Sequence, residues 1–306
     1  MTTVDYEQLG ATLAAGAALS PDQQRGVVHS RDLIGLGMLA ADVRARLHGT
    51  RGTFVRVHVV DAARVDAASA DVVIDAPAVG EGGTFAMGEV RLEGAPASLD
   101  AACRIATAAS TRFGVPVSGW AVHELAAIGP LADVAAALRA AGLHAVATAR
   151  LDRLSGADLE ALAAADLPVQ VVTFGAPVTG DALVAQLDAL RSWQAASGVV
   201  RACSPLPVET SPEQPTTGYD DMRHVAIGRI VLDNVLHISA QWARMGAKLS
   251  QACLLFGGDD VDAVPALDEM PHGPRRAIVE EVRRNLVAAS LDPVERDGAW
   301  ELREGA

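Results

Sequence analysis

The chain has very few cysteines and almost no lysine. Its only cysteines are Cys103, Cys203 and Cys253, and no two of them are close enough in sequence to share a short loop. Three separated thiols exclude a disulfide framework and any cluster site built from cysteines in one loop. Lys248 is the only lysine, so a Schiff-base mechanism would have to depend on that side chain.

Positive charge and long hydrophobic runs are also scarce. The net charge is −13 and the sequence pI is about 5.0, which disfavours binding to nucleic acid or to an anionic membrane surface. No stretch approaches the roughly 18 uncharged apolar residues that a membrane-spanning helix needs. The N-terminus lacks the basic and apolar regions of a secretory signal. We therefore expect a cytoplasmic protein that contacts neither nucleic acid nor a membrane.

Short apolar runs alternate with helical patterns after the first 50 residues. Half of the 306 residues are hydrophobic, which is enough for a substantial core. More than five strand-helix units over this length favour a (β/α) barrel of the α/β class over an open sheet. The sequence predicts a helical N-terminal extension over 1–50 and one barrel domain over 51–306.

The expected strands have an apolar core or an apolar-polar alternation. They are Phe54 to Val60, Val72 to Ile74, Glu89 to Leu92, Pro116 to Ser118, His144 to Val146, Val169 to Phe174, Val199 to Ala202 and Cys253 to Phe256. The expected helices have apolar residues at helical spacing. They are Arg31 to Leu47, Leu99 to Phe113, Leu131 to Ala141, Gly156 to Ala165, Asp181 to Ala196 and Asp220 to Leu236.

The segment 214–260 carries a series of short motifs: Thr217-Gly218, Ala226 to Arg229, Leu232-Asp233-Asn234, His237-Ile238, Trp242, Gly246 to Gln251 and Phe256 to Asp260. It resembles the C-terminal half of aminofutalosine synthase, dehypoxanthine futalosine cyclase and the deazaflavin (FO) synthases. These are radical S-adenosylmethionine enzymes. Pro293 to Asp297 and Leu36 to Gly49 extend the resemblance to most of the chain.

This resemblance implies a barrel of the radical S-adenosylmethionine type and a place in menaquinone biosynthesis by the futalosine pathway. The sequence departs from the family where that chemistry resides. Asp61 to Ala67 replaces the cysteine loop, and Gly94-Ala95-Pro96 replaces a Gly-Gly turn that approaches S-adenosylmethionine. Ala147 to Asp152 replaces a glycine-rich turn, and Phe174-Gly175-Ala176 replaces Tyr-Gly-His. We therefore expect no [4Fe-4S] cluster, impeded binding of S-adenosylmethionine and no functional radical enzyme.

Several polar side chains are candidates for a site at the mouth of the barrel, where barrel enzymes place their chemistry. Glu124 and Asp152 are the candidate acid-base catalysts. The candidate ligand-binding residues are Glu124, Arg229, Trp242, Asp259 and Asp260. Each has a structural alternative, namely helix capping for the carboxylates, ion pairing for Arg229 and core packing for Trp242. The eight histidines show no metal-ligand spacing, so the sequence predicts no metal site.

Three functions fit these observations. The first is a pseudoenzyme barrel that binds a small aryl carboxylate or a nucleoside without radical chemistry. The second is a non-radical acid-base or lyase enzyme that acts on a related substrate. The third is a subunit that regulates a catalytic paralogue, or that pairs with a second copy of itself.

Overall fold

A computed structural model describes residues 4–69, 71–80, 83–209, 217–268 and 277–303. The first three residues of the family-like segment, 214–216, lie outside this part. Eleven strands are present in it: β1 (Arg51–Asp61), β2 (Thr84–Phe85), β3 (Glu89–Glu93), β4 (Val117–Ala121), β5 (Ala145–Arg150), β6 (Val169–Phe174), β7 (Val200–Pro207), β8 (His237–Gln241), β9 (Asp260–Pro265), β10 (Leu267–Asp268) and β11 (Asp292–Glu295).

Strand β1 and strands β3 to β9 close into a barrel of eight parallel strands. The strands pair in chain order, and the ring closes because β1 also pairs with β9, with Thr53 opposite Asp260. Strand β11 runs parallel to the first residues of β1, while β2 and β10 form a separate antiparallel pair. The predicted (β/α) barrel is therefore confirmed.

Helices surround the barrel and precede its first strand. They are α1 (Tyr6–Ala14), α2 (Pro21–His29), α3 (Leu33–His48), α4 (Leu99–Phe113), α5 (Val122–Ala126), α6 (Leu131–Ala140), α7 (Gly156–Ala164), α8 (Gly180–Ser197), α9 (Gly218–Val231), α10 (Trp242–Leu255) and α11 (Ile278–Ala288). Helix α2 packs on α8 and α3 packs on α9, so the N-terminal segment covers the outside of the barrel. No helix in the described ranges is long and apolar enough to span a bilayer.

Local sequence signals explain where the outer helices begin. Ser155 and Thr217 each accept a hydrogen bond from the backbone N–H three residues later, and the side chain at that third position reaches back to the cap. These capping boxes satisfy N–H groups that the first helical turn leaves free. Strands β4 and β6 are buried at every position, as expected for parallel strands covered by helices.

Two of the expected strands are wrong. Residues 72–74 form no strand, and Cys253 to Phe256 belongs to the end of α10 and its cap. A short apolar run fits a buried helix as well as a strand, and here the run continues a helix that begins at Trp242. The true strands of this region, β8 and β9, contain Ser, Gln and Asp at inward positions, so their apolar pattern is weak.

Those inward polar residues form ion pairs in the lumen of the barrel. Arg296 donates to both carboxylate oxygens of Asp260, at 2.7 and 2.8 Å. The hydroxyls of Thr53 and Ser239 donate to the same carboxylate, at 2.7 and 2.8 Å. The ring of Trp300 lies 3.6 Å from the Arg296 guanidinium carbon. The C-terminal segment therefore closes the N-terminal end of the lumen.

A second ion cluster lies beside the first. Arg91 on β3 donates two hydrogen bonds to Asp262 on β9, both 2.8 Å long, and its Nε donates to Glu89 at 2.9 Å. All three residues are buried. The bonds from Arg91 to Asp262 therefore link β3 and β9, the strands on the two sides of β1. A buried charge is tolerated only when it is paired and hydrogen-bonded, which this arrangement provides.

We predict that Asp260→Asn destabilises the protein by about 3 to 5 kcal/mol, because it removes the carboxylate that binds both Nε and Nη2 of the buried Arg296 and leaves only Asp262, 3.7 Å away. The matched control is Asp166→Asn, which removes the charge from an exposed pair with Arg139 at 2.8 Å. That change should cost less than about 1 kcal/mol. Urea unfolding curves measure both, and equal losses would contradict a special role for the lumen pair.

Candidate functional site

The mouth of the barrel is the face where the strands end. At the end of β1, Ala62–Arg64 forms a short 3-10 turn that the Asp61 carboxylate caps by accepting from the Ala63 N–H at 3.1 Å. Gly94, after β3, has φ of 89° and lies against this turn, since a Cβ there would stand 3.2 Å from Asp61 Oδ1. The two segments that replace the family's cysteine loop and glycine turn therefore contact each other.

The cysteine thiols do not fit a cluster of the kind that the fold family uses. Such a cluster needs three thiolates in one place, whereas Cys103 is on α4, Cys203 on β7 and Cys253 on α10. Burial raises the pKa of both Cys203 and Cys253 to about 12, so these side chains are neutral thiols near pH 7. Pro96, two residues after Gly94, has no backbone N–H to donate to a ligand.

An ion cluster occupies the rim between β5 and β7. Arg150 donates to both oxygens of Asp152, at 3.1 and 2.7 Å, and also to Glu209. The hydrogen bonds from Arg150 lower the pKa of Asp152. Gly175 leaves the space for this pair, because a Cβ at that position would lie 2.5 Å from Arg150 Nη2 and closer still to Asp152. Two further altered segments therefore meet here.

Glu124, the other candidate catalyst, follows β4 at the mouth. Its Oε2 accepts a hydrogen bond from the Ala121 N–H at 2.8 Å, so the carboxylate caps the short helix α5. The neighbouring residue Trp120 has φ of 57°, and its buried indole N–H has no acceptor in the described part of the chain. Ala263, near the end of β9, has the same unusual φ. Backbone strain of this kind is often found at functional sites.

Arg229 and Asp259 lie at the opposite end of the barrel from the mouth. Arg229 is fully buried on α9 and donates to Asp259, to the Gly257 carbonyl at 2.9 Å and to the Leu236 carbonyl at 3.0 Å. Burial alone would raise the pKa of Asp259, but Arg229 and the hydrogen bond from His237 hold it well below its usual range. The pair thus has a structural role in this arrangement.

The sequence placed Asp259 and Asp260 after a strand, whereas both precede or begin β9. Asp260 is the buried partner of Arg296 described above. Trp242 directly follows the last residue of β8, which ends at the mouth. Its ring nevertheless packs outside the barrel, in a cluster with Phe54, Leu254 and Val264. None of these three side chains opens onto the mouth.

The fold also brings together a group that sequence spacing cannot reveal. His48, His237 and Asp259 offer possible ligand atoms within 4.8 Å of one another. His237 Nδ1 lies 2.6 Å from Asp259 Oδ2, and His48 Nε2 lies 2.8 Å from the Leu236 carbonyl oxygen. These hydrogen bonds and the adjacent Arg229 cation disfavour a metal ion here. The histidines come from segments far apart in sequence, which is why spacing gave no signal.

Two buried polar atoms in the lumen lack partners. They are Glu89 Oε2 and Ser204 Oγ, which have no hydrogen bond among the residues that the structure describes. Ser204 lies opposite Thr173 on the adjacent strand, and both face the barrel interior by the alternation of their strands. Orphaned buried groups are rare in folded proteins and commonly bind water or a ligand.

No protein-family model matches the chain. It is 36% identical over 90 residues to aminodeoxyfutalosine synthase of Thermus thermophilus, an alignment that covers 28% of this chain and 24% of that protein. It is 42% identical over 45 residues to 5-amino-6-(D-ribitylamino)uracil–L-tyrosine 4-hydroxyphenyl transferase of Methanoculleus marisnigri, covering 15% of this chain and 12% of that protein. The alignments thus span at most about a quarter of these relatives.

Solved structures share the fold over nearly the whole chain. Methylornithine synthase (PylB) superposes with a TM-score of 0.65 at 12% identity, covering 93% of this chain and 97% of that one. The [FeFe]-hydrogenase maturase HydG superposes with a TM-score of 0.64 at 11% identity, covering 96% and 76% respectively. The barrel is therefore of the same type as theirs.

We predict that Cys203 and Cys253 resist alkylation in the folded protein. With a pKa of about 12, only about one thiol in ten thousand is ionised at pH 8, and the thiolate is the reactive form. Iodoacetamide should label both quickly in urea and very slowly without it, with a native rate that rises with pH. Peptide mass spectrometry reports each site, and rapid native labelling of Cys203 would refute this account.

We also predict that Gly175→Ala destabilises the protein by about 0.5 to 1 kcal/mol, because the new methyl group displaces the partly exposed Arg150–Asp152 pair. Its backbone φ is ordinary, so the cost arises from lost space alone. Gly218→Ala is the control, since nothing lies within 4 Å of the added Cβ. Thermal unfolding compares the two, and an unchanged midpoint for Gly175→Ala would contradict the packing argument.

Proposed function

Because this chain is a homologue of the radical S-adenosylmethionine enzyme group that contains aminodeoxyfutalosine synthase, we propose that it is a cluster-free member that binds a small molecule. The ligand is a small aryl carboxylate or a nucleoside held at the barrel mouth. The protein acts in or beside futalosine-pathway menaquinone biosynthesis without radical chemistry, as a pseudoenzyme.

One observation carries the proposal. The position that follows β1, where the related enzymes hold their cluster, is a compact turn made of Asp61, two alanines and Arg64. Arg64 pairs with Asp61 at 3.0 Å, and neither side chain is a ligand of iron-sulfur clusters. This turn has no side chains that could bind the cluster that radical initiation requires. We therefore assign the barrel a binding role.

The rest of the mouth supports binding. Ser204 Oγ is a buried polar atom of the lumen without a hydrogen bond among the described residues, and the strained residues Trp120 and Ala263 stand near the ends of their strands. Strained backbone and an unused buried polar group are features often found where a protein binds a small molecule.

Acid-base catalysis by Glu124 and Asp152 has weaker support. Glu124 caps α5, and Asp152 is held in a two-point ion pair with Arg150. A lowered pKa also makes Asp152 a poorer base near neutral pH. Pairing with a catalytic paralogue or with a second copy remains a hypothesis that no specific contact favours.

We predict that anaerobic reconstitution with iron and sulfide yields no stable cluster, and that S-adenosylmethionine then gives no 5′-deoxyadenosine. The Thermus thermophilus aminodeoxyfutalosine synthase is the positive control for the same procedure. In a thermal-shift screen, an aryl carboxylate or a nucleoside should raise the unfolding temperature, since a ligand that binds only the native state stabilises it. A stable cluster that cleaves S-adenosylmethionine would overturn the proposal.

A further inference from the structure

A groove on the outside of the barrel lies between α4 and the segment 71–75. Its volume is about 670 Å³, which is within the usual range for small-molecule sites. The Arg104 guanidinium donates to the Ser69 carbonyl, so the chain enters this segment beside the first half of α4. At the other end of α4, the Phe113 ring contacts the ring of His58, which is hydrogen-bonded to the backbone of the last residue of the segment. The segment therefore runs along the helix and forms the second wall of the groove.

One face of α4 supplies most of the polar groups in this groove. Residues three or four apart lie on the same face of a helix. The polar lining residues of α4 follow this spacing, and they are Cys103, Arg104, Thr107, Thr111 and Arg112. Asp71 lines the groove from the opposite wall. The groove thus combines two guanidinium groups, two hydroxyls and one carboxylate.

Arg112 and Asp71 are charged groups of the groove without protein partners. Both are exposed, and neither makes an ion pair or a side-chain hydrogen bond with the residues that the structure describes. The guanidinium carbon of Arg112 lies 5.5 Å from the centroid of the Phe113 ring, a contact that restricts its position. Because the two charges line one groove without pairing with each other, a single ligand can bind both of them.

We propose that this groove binds a small phosphorylated molecule that also carries hydroxyl groups, such as a sugar phosphate. Arg112 donates two hydrogen bonds to the phosphate oxygens, and the Thr111 hydroxyl is a further donor on the same wall. Asp71 accepts hydrogen bonds from the hydroxyl groups, since an ionised carboxylate offers only acceptors. The groove lies outside the barrel, so this second site does not depend on the function proposed for the mouth.

The charges of the groove favour a phosphate over a carboxylate. Arg104 and Arg112 together outweigh Asp71, in a chain whose net charge is −13. A phosphomonoester carries about 1.5 to 2 negative charges near neutral pH, so it gains more from two guanidinium groups than a monocarboxylate does. The two arginines are eight positions apart in sequence, about 12 Å along the helix. Arg112 therefore contacts the phosphate, while Arg104 attracts it from a longer distance.

Cys103 provides a direct readout of binding in this groove. It lines the groove and is half-buried, whereas Cys203 and Cys253 are buried and have a pKa raised to about 12. Burial also raises the pKa of Cys103, so its alkylation requires mildly alkaline conditions. Iodoacetamide should therefore label Cys103 first in the folded protein. A molecule bound in the groove covers this thiol and slows its alkylation.

The test measures the alkylation rate of Cys103 in the full chain by peptide mass spectrometry. The ligands are glucose 6-phosphate, glucose and inorganic phosphate. The proteins are the wild type, Arg112→Gln and the control Arg25→Gln, which changes an exposed residue of α2 that pairs with Asp22. We expect glucose 6-phosphate at ten times its dissociation constant to slow alkylation about tenfold in the wild type and the control, because occupancy sets the protection. Glucose should give no protection.

The two charged groups make different contributions that their variants separate. Arg112→Gln should lose most of the protection and keep the wild-type unfolding temperature without ligand, because Arg112 has no ion pair to lose. The wild type should bind glucose 6-phosphate more tightly than inorganic phosphate. Asp71→Asn should bind these two ligands about equally, because it loses the acceptor for the hydroxyl groups and no longer repels the phosphate.

Four results would contradict this site. No protection of the wild type by glucose 6-phosphate, or equal protection of the wild type and Arg112→Gln, would overturn the proposal. Protection by glucose as strong as by its phosphate would overturn the phosphate assignment. Equal affinity of the wild type for inorganic phosphate and glucose 6-phosphate would overturn the role of Asp71. The function proposed for the mouth is tested separately, by cluster reconstitution and by the thermal-shift screen.

Discussion

The pairing of buried charges inside the barrel is the constraint on which the rest of the structure depends. Asp260 and Asp262 on β9 bind Arg296 and Arg91, and β9 is also the strand that closes the ring against β1. An unpaired charge at these positions would be costly, so the barrel closes in the register that satisfies both arginines. Arg296 also anchors the C-terminal segment at the same end of the lumen, through its hydrogen bonds to Asp260.

This constraint divides the polar residues of the chain into two groups. Those at the start of the strands, such as Arg229 and Asp259, are consumed by one another and stabilise the base. Nearer the mouth, Arg244 on α10 is exposed and Ser204 within β7 has a hydroxyl without a hydrogen bond to described residues. Barrel proteins generally place their binding chemistry at the mouth.

The four segments that differ from the related enzymes are coupled in pairs. Gly94 contacts the turn capped by Asp61, and Gly175 makes room for the ion pair of Arg150 and Asp152. These two contacts hold neighbouring loops of the mouth against each other.

The sequence by itself determined the barrel, most of its outer helices and the lack of a cysteine loop. Apolar periodicity, capping residues and the positions of cysteine are local properties, and α4 begins and ends where its pattern indicates. Only the tertiary structure decided which polar side chains stay accessible and which are bound to other residues of the chain. Glu124, Arg229 and Asp260 look alike in sequence as polar residues near apolar runs. Their roles differ because Arg229 and Asp260 meet buried partners from distant segments, and no local pattern records that meeting.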